Sequence, residues 1–316
     1  MAAVNEFLVT AQIPPPARSL VRFVAAMARV KHQEALRRIH AGAVSVNGRT
    51  SVQSHHCLQV GDRVRIEALP PAPPRLQRAP SAANRQLKIL YEDDQLVVVD
   101  KPAGLLTVPT PAGQGHTLLH QIQRHIERGD RRAKAICVHR LDRDVSGILV
   151  FAKTAAAAER LRRQFASHQP LRRYVAIVAG SPDDDSGTIR SHMRTDQRSL
   201  HRYSSREPAG QWAVTHWRLV ERHRAACMIE VRLETGRRNQ IRVHMADLGH
   251  PILGDSRYGR LRWERQPQLV ALWPWKRLAL HAASLGLLHP RSGRRLQFTS
   301  PVPSEFGQLM ETLRSQ

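Results

Sequence analysis

The chain has 316 residues, and its 49 Lys and Arg against 26 Asp and Glu give a formal net charge of +23. This length predicts one large domain or two unequal ones, and a hydrophobic content of 41% excludes a wholly disordered chain. So large an excess of positive charge indicates a polyanionic partner, and nucleic acid is the first candidate.

Several classes of protein are excluded by pattern. No apolar stretch approaches the roughly 20 residues needed to cross a bilayer, and no basic leader precedes an apolar core near the first residue. The cysteines are Cys57, Cys137 and Cys227, with no close pair, and the 17 histidines show no metal-ligand spacing. We therefore expect a cytoplasmic protein with no metal site.

A proline-rich segment divides the chain. Residues 70–85 include the run PPAPPRLQRAP, and proline at this density resists both helix and sheet, so the segment is predicted to be a linker. It separates a small module, residues 16–69, from a body, residues 86–316. An earlier proline run, residues 14–16, is taken as the point where the ordered module begins.

The small module is predicted to be α/β. Apolar residues at helical spacing predict two helices, over Leu20 to Met27 and over Ala35 to Ile39, and Gly42 ends the second. The Asn47-Gly48 pair within an alternating segment predicts a β-hairpin, and a further strand is predicted from Asp62 to Glu67.

The body is predicted to be an α+β domain built on a mixed, mainly antiparallel sheet. One helix is expected after Thr154, which can cap it, and the polar stretch 181–211 is interpreted as a connection. Helical spacing predicts a second helix over 239–248. Apolar or alternating runs predict five strands, over 87–94, 95–102, 147–154, 172–180 and 227–235.

Three segments carry residues suited to chemistry: HRLDRDVSG (139–147), RRYVAIVAG (172–180) and TGRRNQIRVHMADLGHPILGD (235–255). The first places Asp142 and Asp144 in a turn that leads into a buried strand, where a scaffold can hold a functional group rigidly. Because the two acids are separated by one residue, we expect only one of them to face a site.

The same segments resemble a known family. HRLDRDVSGILVFAK is similar to the signature of the RluA-type pseudouridine synthases, which reads His-Arg-Leu-Asp, two variable residues, then Thr-Ser-Gly. Further matches follow in family order over residues 87–310: YEDDQLVVVDKPAGLLTVP, RRYVAIVAG, TGR with QIRVHM, GHPILGD with RYG, and LALHAASLGLLHP. The resemblance implies the pseudouridine synthase fold and an enzyme that detaches uracil from its ribose, rotates it and rejoins it through C5.

The resemblance also implies three catalytic residues. Asp142 matches the aspartate that engages the ribose, by attack on C1′ or by removal of the 2′ proton. Arg242 matches the arginine that pairs with it, and we expect a bidentate pairing that keeps the carboxylate ionised. Tyr174 matches the tyrosine that stacks on the flipped-out uracil. The isomerisation is redox-neutral, so we expect no cofactor.

Other residues are expected to contact RNA or to support the fold. Beside the catalytic positions, Arg140, Arg237 and Arg238 are expected to bind RNA. His139 is expected to be structural, whereas Lys101, in the family's KPAG turn, is expected to be structural with a possible RNA contact.

The small module resembles the RNA-binding domain first named from ribosomal protein S-four. The turn VNGR and the strand VGDRVRI carry the resemblance, which covers residues 16–69. It implies an RNA-binding face formed by Arg29, Lys31, Arg37, Arg38 and Arg49.

This chain departs from the family pattern at two places. Val145 stands where the family commonly has threonine, and Arg238-Asn239 replaces a small polar residue and a histidine. Neither change removes a catalytic residue, so we expect activity but place substrate choice in doubt.

More than one substrate and more than one class of function agree with the sequence. Large-subunit ribosomal RNA is favoured, transfer RNA is an alternative, and a catalytically silent RNA-binding or ribosome-assembly factor on the same fold is another. A phosphoryl-transfer enzyme is excluded because no GxxxxGK[ST] loop is present. A monomer is the default expectation for the oligomeric state.

Overall fold

The computed structural model describes residues 5–40, 42–50, 56–67, 87–110, 116–129, 133–197, 201–205, 207–258 and 267–315. The chain divides into two compact units, Met1–Pro73 and Pro74–Gln316. The predicted linker over residues 70–85 lies outside the described residues. Across the described ranges, no helix is long and apolar enough to span a membrane.

The first unit is α/β. Its elements are a 3-10 turn (Pro15–Arg18), β1 (Asn5–Leu8), α1 (Leu20–Met27), α2 (His32–His40), β2 (Val44–Val46) and β3 (Arg63–Ile66). Helix α1 forms because Leu20, Phe23 and Val24 lie on one face and are buried together with Ile39 of α2. Both predicted helices are present, although Met27, at the end of α1, is exposed.

The strands of this unit correct one expectation. The order is β1-β3-β2 and both pairings are antiparallel, so β1 extends the module to residues that precede the proline run at 14–16. Asn47 and Gly48 form the predicted tight turn, with φ of 49° and 79°, and Val46 pairs with Arg49 directly across it. The remainder of the predicted hairpin, residues 51–55, lies outside the described residues. Strand β2 also pairs with β3, and the Asn47 side chain donates to Asp62 and accepts from the backbone N–H of Arg63, which ties the turn to the start of β3.

The second unit consists of one large sheet with helices. Its elements in chain order are β4 (Lys88–Glu92), β5 (Leu96–Lys101), α3 (Leu118–Ile126), β6 (Ile136–Cys137), β7 (Ser146–Ala152), α4 (Ala155–Ala166), β8 (Leu171–Ala179), β9 (Ser186–Thr195), β10 (Arg202–Ser205), β11 (Gln211–Arg222), β12 (Ala226–Leu233), α5 (Gln240–Asp247), α6 (Pro267–Leu272), β13 (Leu280–Leu288), β14 (Arg295–Thr299) and α7 (Ser304–Arg314).

The sheet has eleven strands among the described residues, in the order β10-β9-β11-β12-β8-β13-β7-β5-β4, with β14 on β13 and β6 on β7. Only the pairing of β13 with β7 is parallel, which confirms the predicted mixed, mainly antiparallel sheet. At that pairing, Gly147 has a φ of 114°, and a Cβ there would lie 2.3 Å from the carbonyl oxygen of Ala282. The close approach of the two strands therefore requires glycine.

Both faces of the central strands are buried. Because alternate residues of a strand point to opposite faces, Leu149 and Phe151 of β7 pack in the core that includes α3, α5 and α7, whereas Ile148 and Val150 pack against α4. Helix α4 begins after Thr154, whose hydroxyl accepts from the N–H of Ala157, as predicted.

The stretch 181–211 is not a simple connection, which corrects the sequence interpretation. It contains β9 and β10, at one edge of the sheet. Two residues of β9 are buried, Ser191 and Met193, and one of these two is polar. The apolar alternation that marks a strand in a sequence is therefore weak here.

Candidate active site

Asp142 lies in a loop before β7 that is anchored on both sides. The Thr107 hydroxyl donates to the carbonyl oxygen of Leu141 at 2.8 Å. On the other side, the backbone N–H of Gly104 donates to the carbonyl oxygen of Arg143 at 2.8 Å. The segment that follows β5 therefore fixes the backbone of the loop and limits the positions open to the Asp142 side chain.

Lys101 is the second anchor of this loop. Its ammonium group is fully buried and donates to the carbonyl oxygens of Pro102, Leu105 and Arg143 at 2.8 to 3.0 Å. Burial lowers the pKa of Lys101 to about 7, against the opposing charge of Asp144. Lys101 is structural, as expected, but the possible RNA contact is wrong because the side chain has no exposed surface.

Arg242 connects Asp142 to a second carboxylate. Its Nη1 donates to Oδ2 of Asp142 at 2.9 Å, while Nε and Nη2 donate to the two oxygens of Asp255 at 2.7 and 2.9 Å. The structure thus brings Asp142 and Arg242 together across 100 positions of sequence. The expected bidentate pairing is nevertheless made with Asp255, and Asp142 receives a single hydrogen bond from Arg242.

Burial and charge differ among these three groups. The Asp142 side chain is 25% exposed, that of Arg242 is 13% exposed, and that of Asp255 is fully buried. Burial lowers the pKa of Arg242, but the hydrogen bonds and charge of Asp255, followed by those of Asp142, outweigh it and raise the pKa overall. Arg242 is therefore a permanent cation beside a carboxylate that solvent and ligands can reach.

The start of α5 is rigid, and this positions Arg242. The side-chain oxygen of Gln240 accepts from the Thr235 hydroxyl at 2.8 Å and from the N–H of Arg237 at 2.9 Å. Its nitrogen donates to the Val214 carbonyl and the Thr215 hydroxyl at 3.0 and 2.9 Å. Every polar group of this buried amide has a partner, so the loop before α5 is held against β11.

Tyr174 lies on β8 near Asp142 and is 8% exposed. Burial raises the pKa of its hydroxyl, with the charge of Arg172 opposing and the charge of Asp142 adding to the shift. The residue is packed among core side chains and is also within electrostatic reach of the carboxylate. Tyr174 can therefore act at the site through one part of its ring or its hydroxyl while the rest fills the core.

Arg172, two residues before Tyr174, is a buried cation that the sequence analysis did not single out. Its guanidinium donates to the carbonyl oxygen of Glu234 at 3.2 Å and lies 5.8 Å from the centre of the Phe165 ring. Burial lowers its pKa, and the nearby charge of Arg237 lowers it further. Arg172 stands two residues before Tyr174 on the same face of β8, and this spacing was the signal that could have marked it.

His139 and Val145 have structural surroundings. The His139 ring stacks on Phe165 at 4.4 Å between centroids, and its Nε2 accepts from the N–H of Val150 at 3.2 Å. Burial, followed by the charge of Arg172, lowers the pKa of His139 to about 3, so the ring is neutral. Val145 is buried in the core, where the methyl groups fit and a threonine hydroxyl would need a partner.

The residues expected to bind RNA lie mostly at the surface. In the second unit, Arg140 and Arg238 are exposed on the two segments that carry Asp142 and Arg242, and Arg237 is half-buried with its Nε donating to the Trp212 carbonyl at 2.9 Å. In the first unit, Arg38 is half-buried, and the other four cations of the predicted RNA-binding face are exposed: Arg29, Lys31, Arg37 and Arg49.

Two further residues at the site were missed as functional positions. Asp255 supplies the bidentate partner of Arg242, and the ring of Tyr258 lies 5.0 Å from the Arg242 guanidinium carbon. Both lie in the segment GHPILGDSRYG, which the resemblance included without assigning roles. The signal was the acid in that motif, because a carboxylate is the usual partner of a buried charged group of opposite sign.

Comparisons with known proteins show the family of this chain. The family model described as RNA pseudouridylate synthase matches residues 95–247. Ribosomal large subunit pseudouridine synthase D of Xanthomonas campestris pv. campestris is 38% identical over 87% of this chain and 82% of its own length. The Bacillus subtilis protein named Uncharacterized RNA pseudouridine synthase YlyB is 35% identical over 86% of each chain.

A solved structure supports the fold. The structure named Human RNA Pseudouridylate Synthase Domain Containing 4 superposes with a TM-score of 0.57 at 24% identity, covering 72% of this chain and 93% of that one. The class is defined by the relatives in sequence: the chain belongs to the RNA pseudouridine synthase family. The catalytic unit is of the RluA type, and the protein is an RNA pseudouridine synthase, an isomerase.

Proposed function

We propose that this enzyme isomerises specific uridines of large-subunit ribosomal RNA, with Asp142 acting on the ribose of a flipped-out nucleotide. The observation that supports the catalytic assignment is the hydrogen bond between Asp142 and Arg242, itself fixed by Asp255. The substrate is supported by relatives named Ribosomal large subunit pseudouridine synthase D, which are 34% to 39% identical to this chain.

The chemistry follows from the position of Asp142. The target base must leave the helix, at a cost of a few kcal/mol, before a side chain can reach its ribose. The Asp142 carboxylate then either bonds to C1′ or removes the 2′ proton; in both routes the C1′–N1 bond breaks and uracil leaves with its electron pair. Arg242 stabilises the negative charge of Asp142 and fixes its orientation before this step. The partial exposure of Asp142 allows the ribose to approach, and the anchored loop keeps the carboxylate in place.

Tyr174 is proposed to stack on the detached uracil. Base–aromatic stacking contributes about 1–3 kcal/mol, which is enough to hold the base while it turns to present C5. Its hydroxyl, near both Asp142 and Arg172, is proposed to assist removal of the C5 proton. The buried surroundings support a fixed ring plane.

Within the first unit, residues 16–69 are proposed to form an S-four-like RNA-binding domain to which β1 adds a strand, followed by a linker over 70–85 and the catalytic domain over 86–316. Support comes from two helices packed on a small sheet and from the exposed cations named above. These charges hold RNA largely without regard to sequence, and the affinity should fall with salt. Action in the cytoplasm as a monomer is part of the same proposal.

A comparison of cells with and without the gene tests the substrate. Pseudouridines are mapped in total RNA by carbodiimide labelling and primer extension. The proposal predicts the loss of one or a few sites in large-subunit ribosomal RNA and their return with the wild-type gene, but not with Asp142→Asn. Sites lost only from transfer RNA would contradict the substrate, and unchanged maps in both RNAs would contradict the activity in the cell.

A further inference from the structure

Asn239 lies between the proposed catalytic carboxylate and Tyr258. One end of its amide is within 2.9 Å of Oδ2 and 3.2 Å of Oδ1 of Asp142, and the other end is 2.9 Å from the Tyr258 hydroxyl. It directly precedes α5, which carries Arg242. The residue therefore contacts Asp142 from the same helix start that supplies the cation.

The direction of these hydrogen bonds is determined by chemistry. An ionised carboxylate only accepts, so the Asn239 nitrogen must face Asp142, and the amide oxygen then accepts from the Tyr258 hydroxyl. The Tyr258 oxygen in turn accepts from the backbone N–H of Arg202 at 3.3 Å. In the reverse orientation, the amide oxygen would face the carboxylate and the Tyr258 oxygen would face two donors.

The result is a chain of donors that points toward Asp142. It begins at the backbone of Arg202, the first residue of β10, passes through Tyr258 and Asn239, and ends on the carboxylate. Each bond polarises the next in the same sense, which strengthens the last one.

The two oxygens of Asp142 differ as a consequence. Oδ2 accepts from Nη1 of Arg242 at 2.9 Å and from Asn239 at 2.9 Å, whereas among the described residues Oδ1 receives only the longer 3.2 Å contact from Asn239. Two donors on Oδ2 fix the rotation of the carboxylate. Oδ1 is therefore the oxygen with capacity left for a reacting atom.

From this arrangement, and resting on the proposed role of Asp142, we propose that Asn239 is a positioning residue that holds Oδ2 of Asp142 and directs Oδ1 at the ribose. The backbone favours the residue as well, because φ at position 239 is 59°, in the left-handed region that asparagine tolerates better than most residues. Tyr258 sets the amide orientation and so belongs to the same unit.

Two substitutions at position 239 separate positioning from a purely structural role. Asn239→Asp keeps the shape and tolerates the backbone, but it places a second carboxylate beside Asp142. Asn239→Ala removes the donor and strains the backbone without adding charge. If the role is purely structural, Asn239→Asp should lower the rate of reaction less than Asn239→Ala does. If Asn239 acts as a donor, Asn239→Asp should lower the rate at least as much as Asn239→Ala.

The measurement is single-turnover formation of pseudouridine in ribosomal RNA by the full-length protein, with RNA affinity and Tm measured in parallel. We expect Asn239→Ala to lower the rate about 10- to 100-fold with RNA affinity unchanged, as for loss of a hydrogen bond to a charged group. We expect Asn239→Asp to be no faster at pH 7. An Asp variant faster than the Ala variant, or a loss confined to RNA affinity, would overturn the proposal.

A pH profile adds a readout that shape does not affect. In Asn239→Asp, the acidic limb should move to higher pH because two adjacent carboxylates retain a proton more readily. The other charged or titratable groups facing Asp142 are unchanged in this variant: Arg242 of α5, Lys101 of β5, Tyr174 of β8 and Asp144 of its own loop. An unshifted limb would count against the proposal.

Tyr258→Phe keeps the proposal testable if the variants at position 239 unfold. Loss of the hydroxyl frees the amide to rotate, and we expect a rate about three- to tenfold lower with normal RNA affinity. Tyr203→Phe, on an exposed tyrosine of β10, is the matched control and should keep the wild-type rate. A wild-type rate for Tyr258→Phe would overturn the proposal.

Asp142→Asn distinguishes the two levels of the argument. If it is inactive while the variants at positions 239 and 258 react at the wild-type rate, only the role of Asn239 fails. If Asp142→Asn itself remains active, the proposed function fails and the role of Asn239 fails with it.

Discussion

Arg242 donates two hydrogen bonds to the fully buried Asp255 and one to the partly exposed Asp142. The planar fork of the guanidinium is thus occupied by a carboxylate that no substrate can reach. The orientation of Arg242 does not depend on Asp142, so it can persist while Asp142 engages the ribose in the proposed mechanism. In that mechanism, a carboxylate that changes its bonding is paired with a cation that does not move.

Arg242→Lys should be nearly inactive although it keeps the charge. A lysine ammonium cannot form two parallel bonds to Asp255 and still donate to Asp142, so the proposed catalytic carboxylate loses its orientation. We expect single-turnover pseudouridine formation to fall at least about 100-fold, since hydrogen bonds to charged groups contribute about 1.5–3 kcal/mol each. RNA affinity should stay near the wild-type value. A lysine variant with near wild-type turnover would refute the importance of the fork.

Lys101→Met should change how stability depends on pH. The pKa of Lys101 is about 7 in the folded protein, whereas the ordinary value of 10.5 applies in the unfolded chain. Between these two pH values the side chain is protonated in the unfolded chain and neutral in the folded protein. Stability from this group therefore rises with pH, by about 1 kcal/mol per pH unit around pH 8–9. Urea unfolding across this range should show that the free energy of unfolding rises more steeply with pH for the wild type than for Lys101→Met. Parallel pH dependences of the two proteins would contradict a neutralised Lys101.

The ion pair between Arg277 and Glu305 should be essential for stability. Both side chains are buried, and Nη1 of Arg277 donates to Glu305 Oε1 at 2.6 Å. Arg277→Met leaves a buried carboxylate without this cation, which we expect to cost about 3–5 kcal/mol in the free energy of unfolding. Adding Glu305→Gln should recover part of that loss, because the remaining group is neutral. Denaturant melts of the two single variants and the double variant test this, and equal losses for Arg277→Met with and without Glu305→Gln would contradict the account.

Much of the site could be predicted from the sequence, because ordered motifs identify residues even when they are far apart. The meeting of Asp142 with Arg242 follows from such motifs. The bidentate pairing of Arg242 with Asp255 does not follow from the motifs, since it depends on which carboxylate reaches two guanidinium nitrogens after folding. The network through Asn239 and Tyr258 could not be predicted either, because it needs the left-handed backbone at position 239 and the position of β10.

The fold, like the site, could be predicted from the sequence only in part. Strands with clear apolar runs, such as β5 and β7, lie where the sequence predicts them, since both of their faces are buried. Strands β9 and β10 were missed because their shielded positions include polar residues. The pairing of β2 with β3 was not predicted, because it depends on contacts between residues far apart in sequence, such as the bonds of the Asn47 side chain to Asp62 and Arg63.

The most direct test of the central claim compares wild-type protein with Asp142→Asn on large-subunit ribosomal RNA transcribed without modifications. The substitution keeps the size of the side chain and removes its charge, so it leaves RNA binding intact while removing the group proposed to act on the ribose. Pseudouridine formation and RNA affinity are measured on the same preparations. We predict specific pseudouridines with the wild type, none with the variant, and equal affinities for the RNA; pseudouridine formed by the Asp142→Asn protein would contradict the proposed mechanism.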